Sequence, residues 1–336
     1  MHYHPSRPVT EGMLRDRTTY LKFDNYTSKA IKIDNGIGQG DPLSMVLYQY
    51  YNTDILEITS QPKENAIAYM DDALVMAAGA DFTVTHQMLM NILTREGGVL
   101  EWSTSHNSPL KLSKLALIDF THRCNKSERQ PLALPGITIK LAEATKYLGI
   151  MVDQHLEWKA HHSYVIEKGS KWVAQIRRVT RPSWGITPKY ARRLYTGVAL
   201  PRILYGADIW CNPPQGDRPG PKDPGSAKVT AKITSIQRSG ALAITGVLST
   251  SPTDALDACA YLQPATHTVE KLRTRAAARL ASVPPKHPLH TPVKRCWKQQ
   301  VRKHRSPLHS LFKNFAHDPR EVEKIPTAPR NPAHRG

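Results

Sequence analysis

Ala66-Ile67-Ala68-Tyr69-Met70-Asp71-Asp72-Ala73-Leu74-Val75-Met76 places two adjacent carboxylates between two apolar runs of strand-like composition. Such runs meeting at a polar dipeptide predict two strands over 65–78 that turn at Asp71-Asp72. Burying charge is costly, so an Asp pair between apolar strands needs a compensating partner. The usual partner for paired carboxylates is a divalent cation that prefers oxygen ligands. Taken alone, the pair reads equally well as an ordinary turn, because Asp is a good turn residue.

Some 30 residues upstream lies a Gly-rich segment, Asn35-Gly36-Ile37-Gly38-Gln39-Gly40-Asp41-Pro42-Leu43-Ser44. It is not a Walker A loop, since no Lys-Ser/Thr follows a Gly at the required place. Asp41 fits a helix N-cap and Pro42 the first helical position. Leu43, Val46, Leu47, Tyr50, Tyr51, Ile55 and Ile58 then recur at helical spacing, which predicts a helix over 42–59. Before this segment, residues 19–33 read as two short strands. After the carboxylate hairpin come a helix over 82–102 broken near Gly97-Gly98, a strand over Lys114–Phe120, a polar loop to about Pro131, and strands at 137–139 and 145–151. The first half is therefore α+β in character. Beyond residue 156 the pattern is helical, over 158–180, 188–209, 226–247, 252–261 and 266–281, with a Pro/Gly-rich loop at 212–225. Residues 286–336 are basic, rich in Pro and His, and expected to be disordered.

The 336 residues allow one large domain or two ordinary ones, and 40% hydrophobic residues supply a core. The net charge of +18 is uneven. Residues 1–144 hold 14 basic and 16 acidic side chains, residues 145–264 hold 16 and 8, and residues 265–336 hold 16 and 4. A near-neutral half bearing the carboxylates precedes a basic half suited to a polyanion. Four scattered cysteines without a CxxC pair argue against a zinc ribbon or a disulfide framework and point to a reducing, intracellular setting. No run of 18 apolar residues is present to span a membrane.

The order and spacing of these segments resemble the palm of reverse transcriptases, most closely those of non-LTR (LINE-type) retrotransposons. The segment from Asn35 to Ser44 is similar to the family's nucleotide-pocket motif, and Tyr69-Met70-Asp71-Asp72 to its catalytic hairpin. Trp102-Ser103-Thr104-Ser105-His106-Asn107 leading to Lys114 resembles the following helix-to-strand motif, and Lys146-Tyr147-Leu148-Gly149-Ile150 the primer grip. Trp158-Lys159-Ala160-His161-His162, Leu204-Tyr205-Gly206-Ala207-Asp208-Ile209-Trp210 and Gln237-Arg238-Ser239 resemble the thumb and connection. The resemblance covers about residues 13–285 and implies a partial palm (1–155), a helical thumb/connection (156–285) and the tail.

The resemblance implies RNA-directed DNA synthesis on an RNA template and a DNA primer, using deoxynucleoside triphosphates and two Mg²⁺ ions about 3.5–4 Å apart. It makes Asp71 the shared metal ligand, Asp72 the supporting one, and Lys114 an aid to the leaving pyrophosphate; an edge-strand Lys in solvent is an equal reading of Lys114. Gly38, Gln39, Gly40, Pro42, Ser44, Tyr69 and Met70 would form the nucleotide and template pocket, and Tyr147, Leu148 and Gly149 the primer grip. Trp158, Trp172, Trp184 and Trp210 read as helix core rather than base-stacking platforms, and His161 and His162 as surface residues. Integration by the family implies a nuclear location. The family also places a further metal-binding Asp on a strand several dozen residues before the pocket motif. Asp16, Asp24 and Asp34 lie too close to Gly36 for that role. The expectation is an N-terminally truncated piece, nearly inactive alone. A catalytically silent nucleic-acid-binding remnant is the alternative.

Overall fold

The structure is a computed structural model that describes residues 11–12, 14–34, 36–38, 40–59, 61–121, 130–134, 136–181, 184–212, 225–299, 306–313 and 315–325. The chain forms two compact units, residues 1–117 with 127–140, and residues 118–126 with 141–336. Gln39, the greater part of the 212–225 loop and residues 326–336 lie outside the described residues.

In the first unit, β1 (Arg17–Thr19) pairs antiparallel with β4 (Ile31–Ile33) around the smaller hairpin of β2 (Lys22–Phe23) and β3 (Tyr26–Thr27). Helix α1 (Pro42–Tyr51) begins where the sequence places it, with Asp41 accepting from the Leu43 amide at 2.8 Å and Pro42 in the first turn. It runs into a 3₁₀ turn at Thr53–Leu56. The strands β5 (Glu64–Tyr69) and β6 (Asp72–Ala77) follow, then α2 (Phe82–Thr94) and α3 (Val99–Ser105). The break between these helices falls at Gly97-Gly98, as predicted. A hairpin of β7 (Leu132–Leu134) and β8 (Ile137–Ile139) completes the unit. Its core gathers Ile55, Ile58, Ile92, Val99 and Trp102, with Ala68 and Val75 packed against it.

One ion pair ties these pieces together. Glu64, at the start of β5, has a fully buried side chain, and Arg95, capping α2, is 17% exposed. The guanidinium makes two bonds to the carboxylate, at 2.9 and 3.3 Å, and a third to the Ile58 carbonyl. This fork-on-fork geometry satisfies both charges, without which burying them would be prohibitive.

The predicted strand over Lys114–Phe120 does not form. Leu112–Lys114 is a 3₁₀ turn and the chain then runs to residue 121 with only a single β-bridge residue, Leu117. An apolar run becomes a strand only where a partner supplies its ladder of hydrogen bonds, and this run has no such ladder. All sheets among the described residues are two-stranded.

The second unit opens with the hairpin of β9 (Ala144–Tyr147) and β10 (Ile150–Asp153), turning at Leu148-Gly149. Both turn residues have positive φ, 45° and 84°, which is the backbone of a tight type I′ hairpin and explains the glycine. Long helices α4 (Lys159–Val179) and α8 (Gly225–Thr245) pack together, with α9 (Thr253–Cys259) and α10 (Ala265–Ala281) alongside. The helix predicted over 188–209 is divided into α5 (Pro188–Leu194), a π-helical stretch (Tyr195–Ala199), α6 (Leu200–Ile203) and α7 (Ala207–Trp210). Pro201 cannot donate to the preceding turn, and a local widening of the helix accommodates that loss.

Gly206, which precedes α7 as its N-cap, has φ +64°, and a Cβ there would lie 2.7 Å from Cδ1 of Ile150. A Cβ on Gly149 would likewise lie 3.1 Å from the Tyr205 ring. The β9–β10 hairpin therefore docks on the Tyr205-Gly206 turn through two side-chain-free positions. Gly206→Ala is expected to cost about 1–3 kcal/mol, from left-handed strain plus the clash, read as a lowered unfolding midpoint of this unit.

Two expectations for this region change. The boundary placed at residue 155 moves to 140/141, because the Met151 amide donates to Nδ1 of His161 (3.1 Å) and joins the hairpin to α4. The stretch expected to be a disordered tail carries α11 (His290–Lys298) and α12 (Pro307–Phe312). Val293, Leu311, Phe312 and Phe315 are buried against Ala276, Ala277 and Ala281 of α10. Buried Arg273 bonds the Cys211 carbonyl at 2.5 Å and the Ser310 carbonyl at 2.8 Å. A few large apolar residues in a basic segment are enough when they meet a smooth alanine face. Among the described residues no helix is long and apolar enough to cross a membrane.

Candidate functional site

In the β5–β6 hairpin, Tyr69 pairs with Asp72, so the two-residue turn is Met70-Asp71 rather than Asp71-Asp72. The period-2 pattern turns Glu64, Ala66 and Ala68 inward and leaves Asn65, Ile67 and Tyr69 exposed. Asp71 sits in the turn and Asp72 opens β6; both are exposed. Neither is ion-paired or hydrogen-bonded to a described residue, and both exposed carboxylates can be reached by a cation.

Met70 carries an unusual backbone, φ +56°. A side chain larger than Asn or Asp in this left-handed region is strained by about 1–3 kcal/mol and persists only where its surroundings hold it. The hold comes from the end of α1. Asn52, buried at 7% exposure, donates through Nδ2 to the Met70 carbonyl (3.3 Å), and Nε2 of Gln49 lies 3.8 Å from the Met70 sulfur. Thus one helix has the Gly-rich segment at its N-terminus and grips the carboxylate turn at its C-terminus. Sequence reading missed Gln49 and Asn52; the only signal was their place at the end of the predicted helix.

The other pocket residues vary in how they are presented. Gly38 and Gly40 are exposed, Gly40 with φ +95°, and Pro42 is exposed in the first turn of α1. Ser44 is buried, with its hydroxyl lacking a partner. Lys114 is exposed at the end of a 3₁₀ turn and forms no ion pair with a described residue. Tyr147, Leu148 and Gly149 belong to the second unit, where Gly149 faces Tyr205. Among the described residues no group of three or more His, Cys, Asp or Glu side chains gathers to hold a metal.

The thumb-like motifs prove to be packing devices. His161, expected at the surface, is 1% exposed, edge-on to Trp210 at 5.0 Å, and burial lowers its pKa to about 4. Burial also lowers the pKa of His162, which is half-buried beside the same ring. Trp210 is core, with Nε1 donating to the Tyr205 carbonyl at 2.9 Å, and Trp158 packs on that core. Half-buried Trp172 lies under the Arg202 guanidinium at 4.7 Å. Trp184 differs from expectation: it is 61% exposed, on a two-residue strand outside the helices. Gln237 is buried and donates to Asp257 at 3.0 Å and to the Gln263 carbonyl at 2.9 Å.

Comparison with known proteins gives the hairpin its context. Over 216 residues, 60% of the chain, the sequence is 26% identical to an RNA-directed DNA polymerase from the mobile element jockey of Drosophila melanogaster. The chain is related to the reverse transcriptases of non-LTR retrotransposons. It is also 26% identical over 160 residues, 47% of the chain, to a putative 115 kDa protein of the type-1 retrotransposable element R1DM. Over 212 residues, 61% of the chain, it is 23% identical to a probable RNA-directed DNA polymerase from transposon BS, both from the same fly. The chain spans 22%, 15% and 23% of the lengths of these three relatives. No protein-family model and no solved structure matches the chain.

Proposed function

We propose that this chain is part of an RNA-directed DNA polymerase, a partial palm followed by a helical thumb and connection, with Asp71 and Asp72 as its metal-binding carboxylates. The observation that carries the reading is a strained two-residue turn that presents two exposed Asp side chains with no partner among the described residues, gripped by the helix that follows the Gly-rich segment.

The donor set suits one Mg²⁺, which commonly takes one or two carboxylates and completes its shell with water and substrate phosphate oxygens. Bound there, the ion supplies charge neutralisation at the α-phosphate attacked by the primer 3′-hydroxyl. Asp71 and Asp72 orient it; Gly38, Gly40 and Pro42 let backbone approach the nucleotide; Tyr69 and Met70 shape the pocket floor; exposed Lys114 faces pyrophosphate charge. Tyr147, Leu148 and Gly149 hold the primer end. A second ion needs further carboxylates, which the described residues do not gather. On this reading the described residues complete one ion site, and the expected synthetic activity of the chain by itself is at trace level. Losing one such carboxylate removes several kcal/mol of transition-state stabilisation.

The basic residues 145–336, 32 basic against 12 acidic, hold the RNA template and DNA primer by their phosphates. The element's working compartment on this reading is the nucleus.

The test is primer extension on an RNA template with Mg²⁺, beside binding of an RNA–DNA duplex. Expected are incorporation at trace level that vanishes in Asp71→Ala, and binding that weakens steeply with salt at a log–log slope of several units. Incorporation unchanged in Asp71→Ala overturns the site. Salt-dependent binding without any Asp71-dependent incorporation favours the second reading, a silent nucleic-acid-binding remnant.

A further inference from the structure

The structure assigns Asn52 the role of positioning residue for the carboxylate hairpin: its buried side chain holds Met70 in the left-handed conformation that sets where Asp71 and Asp72 point. The inference rests on the metal-binding reading above and deepens it, since Asn52 bonds the backbone of the turn and acts through it.

Three observations converge on Asn52. Its side chain is 7% exposed, and Nδ2 donates to the Met70 carbonyl at 3.3 Å, across 18 residues of sequence. Its Oδ1 is buried without a partner, so the amide is kept at a cost that packing alone would not require. Its own backbone is pinned, with the N–H bonded to the Tyr48 carbonyl at 3.0 Å at the end of α1. A residue fixed on a helix end and donating to a turn carbonyl can hold that peptide plane in a high-energy orientation. The peptide it holds is the one joining Met70 to Asp71. Gln49, one turn earlier on the same helix, touches the Met70 sulfur and limits where that side chain can go.

The consequence is specific. Without the Nδ2 donor the turn relaxes toward negative φ at Met70, and the direction in which the turn presents Asp71 and Asp72 changes. Partners that orient metal ligands from outside the ligand shell typically matter by about 10–100-fold in affinity. Glycine adopts positive φ without strain. If Asn52 acts through the Met70 backbone, glycine at position 70 makes Asn52 dispensable.

The experiment uses the full chain and four proteins: wild type, Asn52→Leu, Met70→Gly and the double variant. Leu keeps the branched heavy-atom shape of Asn52 and removes its donor. Mn²⁺ affinity is measured by electron paramagnetic resonance, and amide exchange at Asp71 and Asp72 by hydrogen–deuterium exchange. Expected are about tenfold weaker Mn²⁺ binding and faster exchange at both Asp amides in Asn52→Leu, with both restored to within about twofold of the Met70→Gly values in the double variant. Asn52→Leu that leaves exchange and affinity unchanged overturns the proposal. So does a double variant as impaired as Asn52→Leu, because a packing role would not be rescued from position 70. Asp71→Asn with undiminished Mn²⁺ affinity marks a failure of the metal reading instead; the exchange data then still decide whether Asn52 holds the turn.

Discussion

Glu64→Ala destabilises the first unit by about 3–5 kcal/mol, enough to unfold it at ambient temperature if its margin is ordinary. The effect is large because the substitution strands Arg95. Its guanidinium is left with one carbonyl where it had a carboxylate fork at 2.9 and 3.3 Å, in a site that exposes only 17% of the side chain. Arg95→Ala is expected to be as damaging, since the carboxylate it leaves is fully buried. The pair pins the far end of β5, so the loss reaches the carboxylate turn through the strand. Hydrogen–deuterium exchange over residues 64–77 checks this: deprotection throughout the hairpin is expected in either single variant. A Glu64→Ala protein with wild-type protection there would show that the ion pair is dispensable. Replacing both partners with apolar residues of similar volume is expected to recover most of the loss, because neither charge then remains buried.

Acid weakens the second unit between about pH 6.5 and pH 4, before general acid denaturation, through His161. Burial lowers its folded-state pKa to about 4 from 6.5. Over that interval the unfolded chain binds the proton and the folded chain does not, so stability falls as pH falls. At pH values above 6.5 the ring is neutral in both states and the contribution is flat. The full loss is roughly 3 kcal/mol, at about 1.4 kcal/mol per pKa unit. The neutral ring is needed because Nδ1 accepts from the Met151 amide, which leaves the other nitrogen as the proton carrier beside Trp210. His161→Asn supplies an acceptor near the position of Nδ1 and cannot titrate. Its urea midpoint is expected to change less with pH across this window than that of wild type. An unchanged acid slope in His161→Asn would remove His161 as the cause. Half-buried His162 adds to the slope in the same direction, since burial also lowers its pKa.

The parts of the structure legible from sequence are those fixed by local chemistry. Asp41-Pro42 starts a helix, Gly97-Gly98 ends one, and β-prone runs flank the two Asp residues, so these elements fall where periodicity and capping put them. What was not legible depends on distant partners. The Leu115–Ile118 run has strand composition but, among the described residues, pairs only through a single bridge at Leu117. The alanine face of α10 gives no hint that Phe312 and Phe315 will cover it. His161 lies in a polar pair, His161-His162, whose burial is decided by Met151 and Trp210, 10 and 49 positions away.

The candidate site was legible as residue types and spacing, and less so as geometry. Sequence placed the turn one residue late, at Asp71-Asp72, because Asp favours turns; the register instead puts Met70 in the strained position. A hydrophobic residue at positive φ contradicts local preference, and such contradictions concentrate where a site needs a fixed shape. Asn52 was invisible in advance for the same reason: its role exists only once α1 and the hairpin are packed together.

The central claim is that Asp71 and Asp72 form a divalent-cation site, and Mn²⁺ titration of the full chain followed by electron paramagnetic resonance tests it most directly. Wild type is expected to bind Mn²⁺ more tightly when a deoxynucleoside triphosphate is added, since the phosphates complete the shell. Asp71→Asn/Asp72→Asn is expected to lose that binding while keeping its unfolding midpoint. Equal Mn²⁺ affinity in the double variant and the wild type would contradict the account.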